Sequence, residues 1–236
     1  MVPPTFYARP ATVERSLGAT PALASWDKAG SPGQLRSAAF VAEAYAVLAD
    51  TLRTTPDPLA LQLNVGLSNA VPLLAFHDLD NYLFPLVPKL VKSTGRTFAS
   101  VWARKQHSAR SSVAVCQTHA IDDPGGTYSF DVATTASTDS AVYKQQIRDQ
   151  TSTNQPLPAG AVALQLAFVV GPRRAWPNLW KPTIDALGTI LGRDADAREW
   201  NVRDGRITDL GLHCVVEADA GKHIAIAVRA QLSELG

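Results

Sequence analysis

The chain has 236 residues, of which 46% are hydrophobic and 18% are charged, and this balance excludes a chain that is disordered throughout. A net charge of +1 excludes a global positive field, so any affinity for nucleic acid must come from a local group of cations. The two cysteines, Cys116 and Cys214, are too few for a disulfide framework, which favours a reducing setting.

The sequence also argues against a membrane protein. Its first residues lack the charged and apolar segments of a signal peptide, and polar residues interrupt the most apolar stretch, residues 59–76. We therefore expect a cytoplasmic protein that has no membrane partner.

The first half of the chain predicts a helix, a strand, a second helix and two closing strands. Apolar residues recur at helical spacing over residues 34–53, and the preceding Ser31, Pro32 and Gln34 are typical of a helix start. The other predicted elements are a strand over residues 59–67, a helix from Asn81, and a hairpin of residues 97–104 and 111–120.

The second half repeats this order of elements. Its predicted elements are a helix over residues 140–150, a strand over residues 162–170, a helix from Asn178, and a hairpin of residues 205–217 and 222–231. Residues 121–126 are the predicted junction, so the chain divides into residues 1–121 and residues 127–236. We expect an α/β (α+β) fold built from two tandem repeats.

Short identities support the repeat. The identical positions include Ala-Leu-Gln-Leu at residues 60–63 and 163–166, and the Asn and Pro of residues 81–85 and 178–182. One shared offset also relates Trp102 to Trp200 and Cys116 to Cys214, which predicts that these pairs occupy equivalent places.

The residues between the first strand and its helix read His77-Asp78-Leu79-Asp80-Asn81. This segment resembles the central motif of the RusA-type Holliday junction resolvases, which place Asp-x-Asp-Asn there, then a Lys in the helix, then a third Asp at the start of the next strand. In the second half, residues 178–187 are similar to the family's helix and include Lys181. Residues 200–207 are similar to its third-Asp segment and include Asp204.

The resemblance implies a fold, a cofactor and a substrate. The family binds magnesium and cuts four-way DNA junctions as a homodimer, so the implied fold is two tandem RusA-like repeats packed as an intramolecular pseudo-dimer. The implied cofactor is Mg²⁺, held by Asp78, Asp80 and Asp204, with these acids and Lys181 as catalytic residues. The implied partner is branched or structured DNA.

Neither half carries the complete motif. The first half has Phe84 at the Lys position, and its third-Asp position falls near Gln106; the second half has Ala175 and Pro177 in place of the two acids. One interpretation is a composite site, in which Asp78 and Asp80 meet Lys181 and Asp204 between the halves, because each half keeps what the other has lost. Three carboxylates suit Mg²⁺, which prefers oxygen ligands.

A second interpretation is a catalytically inactive protein that binds DNA. Residues 81–121 contain no acid, and Trp102 among them could stack on an unpaired base. The cations of this segment, which would neutralise phosphates, are Lys89, Lys92, Arg96, Arg104, Lys105 and Arg110. A third interpretation is a scaffold for a protein partner, with an apolar surface formed by Phe84, Trp176, Trp180 and the early helix of residues 34–53.

Three single residues or pairs have simpler alternatives. Asp80 could be only an N-cap for the following helix, and His77 is expected to make a hydrogen bond that satisfies its turn. The two cysteines are expected to be buried structural residues rather than zinc ligands, because both lie in predicted strands.

Overall fold

The structure is a computed structural model that describes residues 2–24, 28, 30–152 and 155–233. None of the helices in those ranges is long and apolar enough to cross a membrane. Within them, five helices accompany a mixed sheet of eight strands, and two short strands pair separately. The chain therefore has a mixed α/β fold.

The strands are β1 (Phe6–Tyr7), β2 (Arg15–Leu17), β3 (Leu59–Leu67), β4 (Phe98–His107), β5 (Ser111–Gln117), β6 (Ala120–Ile121), β7 (Tyr128–Thr134), β8 (Val162–Val170), β9 (Ile207–Val216) and β10 (Ile224–Leu232). The helices are α1 (Pro32–Thr54), α2 (Leu79–Thr94), α3 (Ala141–Gln150), α4 (Pro177–Ala186) and α5 (Gly188–Leu191). The predicted start of α1 is confirmed, because the Ser31 side chain accepts a hydrogen bond from the Gln34 amide.

The strand order of the large sheet, β2-β5-β3-β4-β9-β8-β10-β7, has the same form when it is followed from either end. On one side, β3 pairs in parallel with β4 and antiparallel with β5. On the other side, β8 pairs in parallel with β9 and antiparallel with β10. The two sides meet at the antiparallel pair β4–β9, which lies at the centre of the sheet.

The two halves also share a local irregularity. The β3–β4 register shifts between Leu59 and Ala60, and the β8–β9 register shifts between Val162 and Ala163. A β-bulge is a defined feature of a strand pair rather than a random defect. Its recurrence fixes which residues of the two halves are equivalent, and it agrees with the repeated Ala-Leu-Gln-Leu sequence.

The predicted hairpins are wrong, because β3 lies between β4 and β5, and β8 lies between β9 and β10. The β4–β5 connection instead crosses the end of β3 at Gly66. A Cβ atom on Gly66 would lie 2.2 Å from the Arg110 carbonyl oxygen. Gly171 has the same role after β8, where a Cβ atom would lie 2.5 Å from the Gly221 carbonyl oxygen. Each crossing needs a residue without a side chain.

The helices pack on one face of the sheet, and the core lies between the two layers. Residues near the N-terminus cover part of the other face, where Phe6 packs on Ala167 and Ala227. The edge strands β2 and β7 were not predicted from the sequence, and each of them begins one half of the repeated order.

The register corrects two predicted equivalences. Trp102 lies in β4 and pairs with Gly211, whereas Trp200 lies in the segment that precedes β9. Cys116 lies in β5 and Cys214 in β9, so these cysteines do not correspond either. The prediction failed because the connection after α4 is longer than the one after α2, and a single offset cannot hold across it.

Candidate metal centre

The candidate site lies at the edge of the sheet where β3 and β4 both end. These strands are parallel, so the segment after β3 and the last residues of β4 share this edge. Since β9 runs antiparallel to β4, its first residues lie at the same edge. The fold thus brings the start of α2, from the first half, next to the 3₁₀ turn Asp204–Arg206, from the second half.

Three carboxylates meet at this edge. Asp78, Asp80 and Asp204 each offer an oxygen atom, and these atoms lie within 4.8 Å of one another. Asp80 and Asp204 are buried, and Asp78 is half-buried. This is the only group of three or more acidic, histidine or cysteine side chains, in the part of the chain that the structure describes, with ligand atoms so close together.

Asp80 is the most perturbed acid of the three. Burial, together with the neighbouring Asp204 and Asp78, raises the pKa of its carboxyl to about 7, although Lys181 acts in the opposite direction. Burial and Asp204 also raise the pKa of Asp78. The group therefore holds negative charge at a cost in free energy, which a bound cation would reduce.

Lys181 supplies one positive charge from α4. Its Nζ atom forms an ion pair with Asp204 and lies 2.9 Å from Asp185 Oδ1. Burial tends to lower the pKa of Lys181, but Asp204, Asp80 and Asp185 outweigh that effect and keep the pKa above its usual value. Asp185 is held in turn by Lys144, whose Nζ atom lies 2.6 Å from its other oxygen. Lys181 is thus a fixed cation beside the three acids.

Lys105 is the second cation of the site, although the sequence predicted it as part of a DNA-binding surface. That prediction is wrong, because the side chain is 1% exposed. Its Nζ atom donates to the carbonyl oxygens of His77 at 3.0 Å, Gly205 at 2.5 Å and Phe76 at 3.3 Å. Burial lowers the pKa of Lys105 to about 8, even though the nearby acids oppose this effect. Lys105 joins the backbone before α2 to the turn that carries Asp204.

The backbone around Lys105 has an unusual conformation. Phe76 and His77 are consecutive residues with φ values of 57° and 55°, a region that side-chain-bearing residues rarely adopt. The opposing residue is Gly205, where a Cβ atom would lie 2.9 Å from the Phe76 amide nitrogen. Such strain is frequent at functional sites, where the surrounding contacts maintain it.

His77 makes a hydrogen bond, but its partner is a side chain of α2 rather than a group of its own turn. Its Nδ1 atom lies 2.6 Å from the hydroxyl oxygen of Tyr82, one turn into α2. Burial and Lys105 lower the pKa of His77, so the ring is neutral near pH 7. Asp80 is not the N-cap of α2, because Asp78 occupies that position and its carboxylate accepts a hydrogen bond from the Asn81 side chain.

The six predicted DNA-binding cations do not form one surface. Arg104 lies on the opposite face of the sheet from Lys105, because successive strand residues alternate in direction. Arg96 donates to the carbonyl oxygens of Leu52 and Thr55 and to Asp57, so it joins α1 to the start of β4. Of the six, Lys89, Lys92 and Arg110 are exposed, Arg96 and Arg104 are half-buried, and Lys105 is buried.

The predicted roles of the aromatic residues also change. Trp102 is 5% exposed and packs between Arg9 and His213, so it is not available to stack on a base. Trp180 is 1% exposed and packs against Trp176, whereas Trp176 and Phe84 are half-buried, so Trp180 is not available to the predicted apolar surface. Cys214 is buried as expected, whereas Cys116 is only partly buried, and both are free thiols.

The donor set suits a hard divalent cation. Carboxylate oxygens are the ligands that Mg²⁺, Mn²⁺ and Ca²⁺ prefer, and the triad contains no sulfur or imidazole donor. The buried triad of Asp78, Asp80 and Asp204 could therefore hold a metal ion. A cavity of about 490 Å³, lined by Asp78, Asp204, Phe76 and Arg203 among others, opens beside it.

Comparison with known proteins adds no family assignment. No protein-family model matches the chain, and no curated protein matches it significantly.

The structure brings Asp78, Asp80, Lys181 and Asp204 together from two halves of the chain, as the composite interpretation of the sequence requires. It also adds residues that the sequence did not single out for this site, namely Lys105, Tyr82 and Asp185. For Lys105 no pattern in the sequence could have shown that a strand lysine points into the interior.

Proposed function

We propose that this protein is a metal-dependent endonuclease that acts on branched or structured DNA. In this proposal the chain consists of two tandem RusA-like repeats that pack as an intramolecular pseudo-dimer. The observation that carries the proposal is the acidic triad, which is complete only when Asp78 and Asp80 of one half meet Asp204 of the other.

The repeated topology supports the pseudo-dimer. The order strand, helix, strand, helix, strand, strand occurs from β2 to β5 and again from β7 to β10, where the short helix α5 is added before β9. The pairing pattern, the bulge positions and the proline inside the second helix of each half, Pro85 and Pro182, also recur. The motif resemblance then supplies the expectation of DNA as the substrate.

The site has the parts that phosphodiester hydrolysis needs. Asp78, Asp80 and Asp204 would hold a divalent ion such as Mg²⁺, which supplies an activated water and neutralises charge on the phosphate. Lys181 keeps its positive charge beside the acids and can attract a phosphate oxygen, since about 41% of its side chain is exposed. Lys105 holds the two acid-bearing segments at a fixed separation through the carbonyl groups of His77 and Gly205.

One exposed residue supports a preference for structured DNA. Phe76 is 80% exposed, lies at the cavity beside the acids, and is held by the backbone bond to Lys105. An aromatic ring in that place can stack on an unpaired base, which branched DNA offers more readily than a continuous duplex.

The test is incubation of the protein with a labelled four-way junction and a matched linear duplex, with Mg²⁺, with Mn²⁺ or with a chelator. Native gels report binding and denaturing gels report cleavage. We expect metal-dependent cleavage of the junction, lost in Asp80→Asn and in Asp204→Asn and retained in Asp219→Asn, a control whose carboxylate is exposed beyond the other end of β9.

The other outcomes separate the alternatives. A shifted junction without any cleavage would contradict nuclease activity and leave a DNA-binding protein that retains the fold. Neither binding nor cleavage would contradict the DNA proposal and direct the search to protein partners.

A further inference from the structure

The near-symmetry of the sheet defines where a second composite site should lie. The site described above is built from the start of α2 and the segment before β9. By the same symmetry, an equivalent second site, called the mate, would be built from the start of α4 and the segment before β4. The matching bulges at Leu59/Ala60 and Val162/Ala163 fix the strand equivalences. The matching Asn81 and Asn178 fix the helix equivalences.

The mate has none of the charged groups of the first site. Ala175 and Pro177 stand at the positions of Asp78 and Asp80, and Phe84 stands at the position of Lys181. Gly95 stands at the position of Asp204, because each of them lies three positions before the first residue of its strand, β4 for Gly95 and β9 for Asp204.

The buried cation is missing as well. The strand register makes Cys214 the equivalent of Lys105, because Ala60 pairs with Ser100 and Ala163 pairs with Asp209. Cys214 is a buried free thiol, and burial raises its pKa to about 12, so it carries no charge at neutral pH. The mate therefore lacks the carboxylates, the exposed lysine and the buried lysine together.

The two places lie close to each other in the structure. One cavity of about 440 Å³ between α2 and α4 is lined by Asp80 and Lys181 and also by Phe84 and Pro177. The charged residues of the first site and the uncharged residues of the second therefore both lie beside the contact between α2 and α4. Within the described residues, no second cluster of metal-ligating side chains replaces the missing one.

We infer that the protein has one cutting site for each DNA molecule that it binds, and that it nicks a single strand rather than cutting two strands in one binding event. This inference rests on the proposed nuclease function and specifies its product. In the single step, a water oxygen forms a bond to phosphorus and gives up a proton, one P–O bond to a sugar breaks, and the departing sugar oxygen takes up a proton. The second strand would be cut only after release and a new binding event.

A supercoiled plasmid with an extruded cruciform distinguishes one cut from two. The full chain is bound to the plasmid without metal, and Mg²⁺ is then added together with excess unlabelled junction, so that a released protein cannot bind again. We expect nicked open circles as the product, with no linear plasmid. Without the unlabelled junction, we also expect open circles rather than linear plasmid, because the first nick releases the supercoiling that keeps the cruciform extruded.

Linear plasmid formed in the presence of the unlabelled junction, without a lag, would overturn the inference while leaving the nuclease proposal intact. No cleavage of any kind would overturn both, and the junction assay described above would show the same failure. The Asp80→Asn variant provides the background level of open circles for either result.

Discussion

Trp102 lies directly opposite Gly211 in the central strand pair β4–β9, and its indole covers the space that a side chain on Gly211 would need. The strand equivalences make these two residues counterparts, so the symmetry of the strand order is centred on this pair. At this pair the equivalent positions of the two halves face each other, and the large side chain of Trp102 fits because Gly211 has no side chain.

Gly211→Ala should lower the stability of the protein. The added Cβ atom would lie 2.8 Å from the Trp102 ring and 3.0 Å from Gln165, within a packed interior. Overpacking of this kind costs about 1–3 kcal/mol, which urea unfolding followed by circular dichroism would measure. The double variant with Trp102→Phe should recover part of the loss, and strictly additive effects would contradict the steric explanation.

Asp80→Asn should stabilise the metal-free protein above pH 7. Burial raises the folded-state pKa of Asp80 to about 7, whereas its ordinary value is 3.8. The folded state therefore binds the proton more tightly, and this group's contribution to stability is lost as pH rises between those values. Thermal unfolding in chelator at pH 8 would measure this gain. Each kcal/mol added to the free energy of unfolding of the variant would raise its Tm by about 2–4 °C.

The same variant should lose its response to metal. Mn²⁺ or Mg²⁺ should raise Tm of the parent protein more at pH 8 than at pH 6, because the ion must displace the proton from Asp80 at the lower pH. It should leave Tm of Asp80→Asn unchanged. An equal rise in both proteins would show that the ion binds elsewhere, and Asp219→Asn provides the matched control.

Lys105→Met should weaken both the fold and the site. The substitution leaves the carbonyl oxygens of Phe76, His77 and Gly205 without their buried donor, a loss of about 2–4 kcal/mol. It also releases the turn that carries Asp204, so the metal-induced rise in Tm should decrease. Lys89→Met, at an exposed position of α2, should change neither quantity, and an equal effect of the two substitutions would contradict the structural role of Lys105.

Phe76→Ala should weaken binding to a four-way junction without lowering stability. Loss of a stacking contact is worth about 1–3 kcal/mol, and Phe76→Tyr should retain the affinity. Fluorescence anisotropy in chelator measures binding apart from cleavage. Val13→Ala is the control, because Val13 is a similarly exposed apolar residue with 79% exposure, and a comparable loss there would contradict a specific role for Phe76.

The sequence predicts the local elements of this fold well. The bounds of β3 and β8 agree with those expected, because both strands are mainly apolar and are followed by turn residues. The composite set of Asp78, Asp80, Lys181 and Asp204 could also be anticipated, since the losses in one half complement the residues kept in the other.

The strand order could not be predicted in the same way. Sequence-adjacent strands favour a hairpin, and only long-range packing places β3 between β4 and β5. The edge strand β2 has three residues, too few for a periodic signal. Lys105 and Arg104 are adjacent cations in the sequence. In the sheet, Lys105 points to the buried face and Arg104 to the opposite, more open face, because successive strand residues alternate in direction.

The central pair β4–β9 joins two parts of one polypeptide. A site shared between separate subunits disassembles on dilution, because its formation depends on the concentration of the partner. Here the partner is tethered, so the meeting of Asp78 and Asp80 with Asp204 is a unimolecular event. The ligand set should therefore form equally well at picomolar and at micromolar protein.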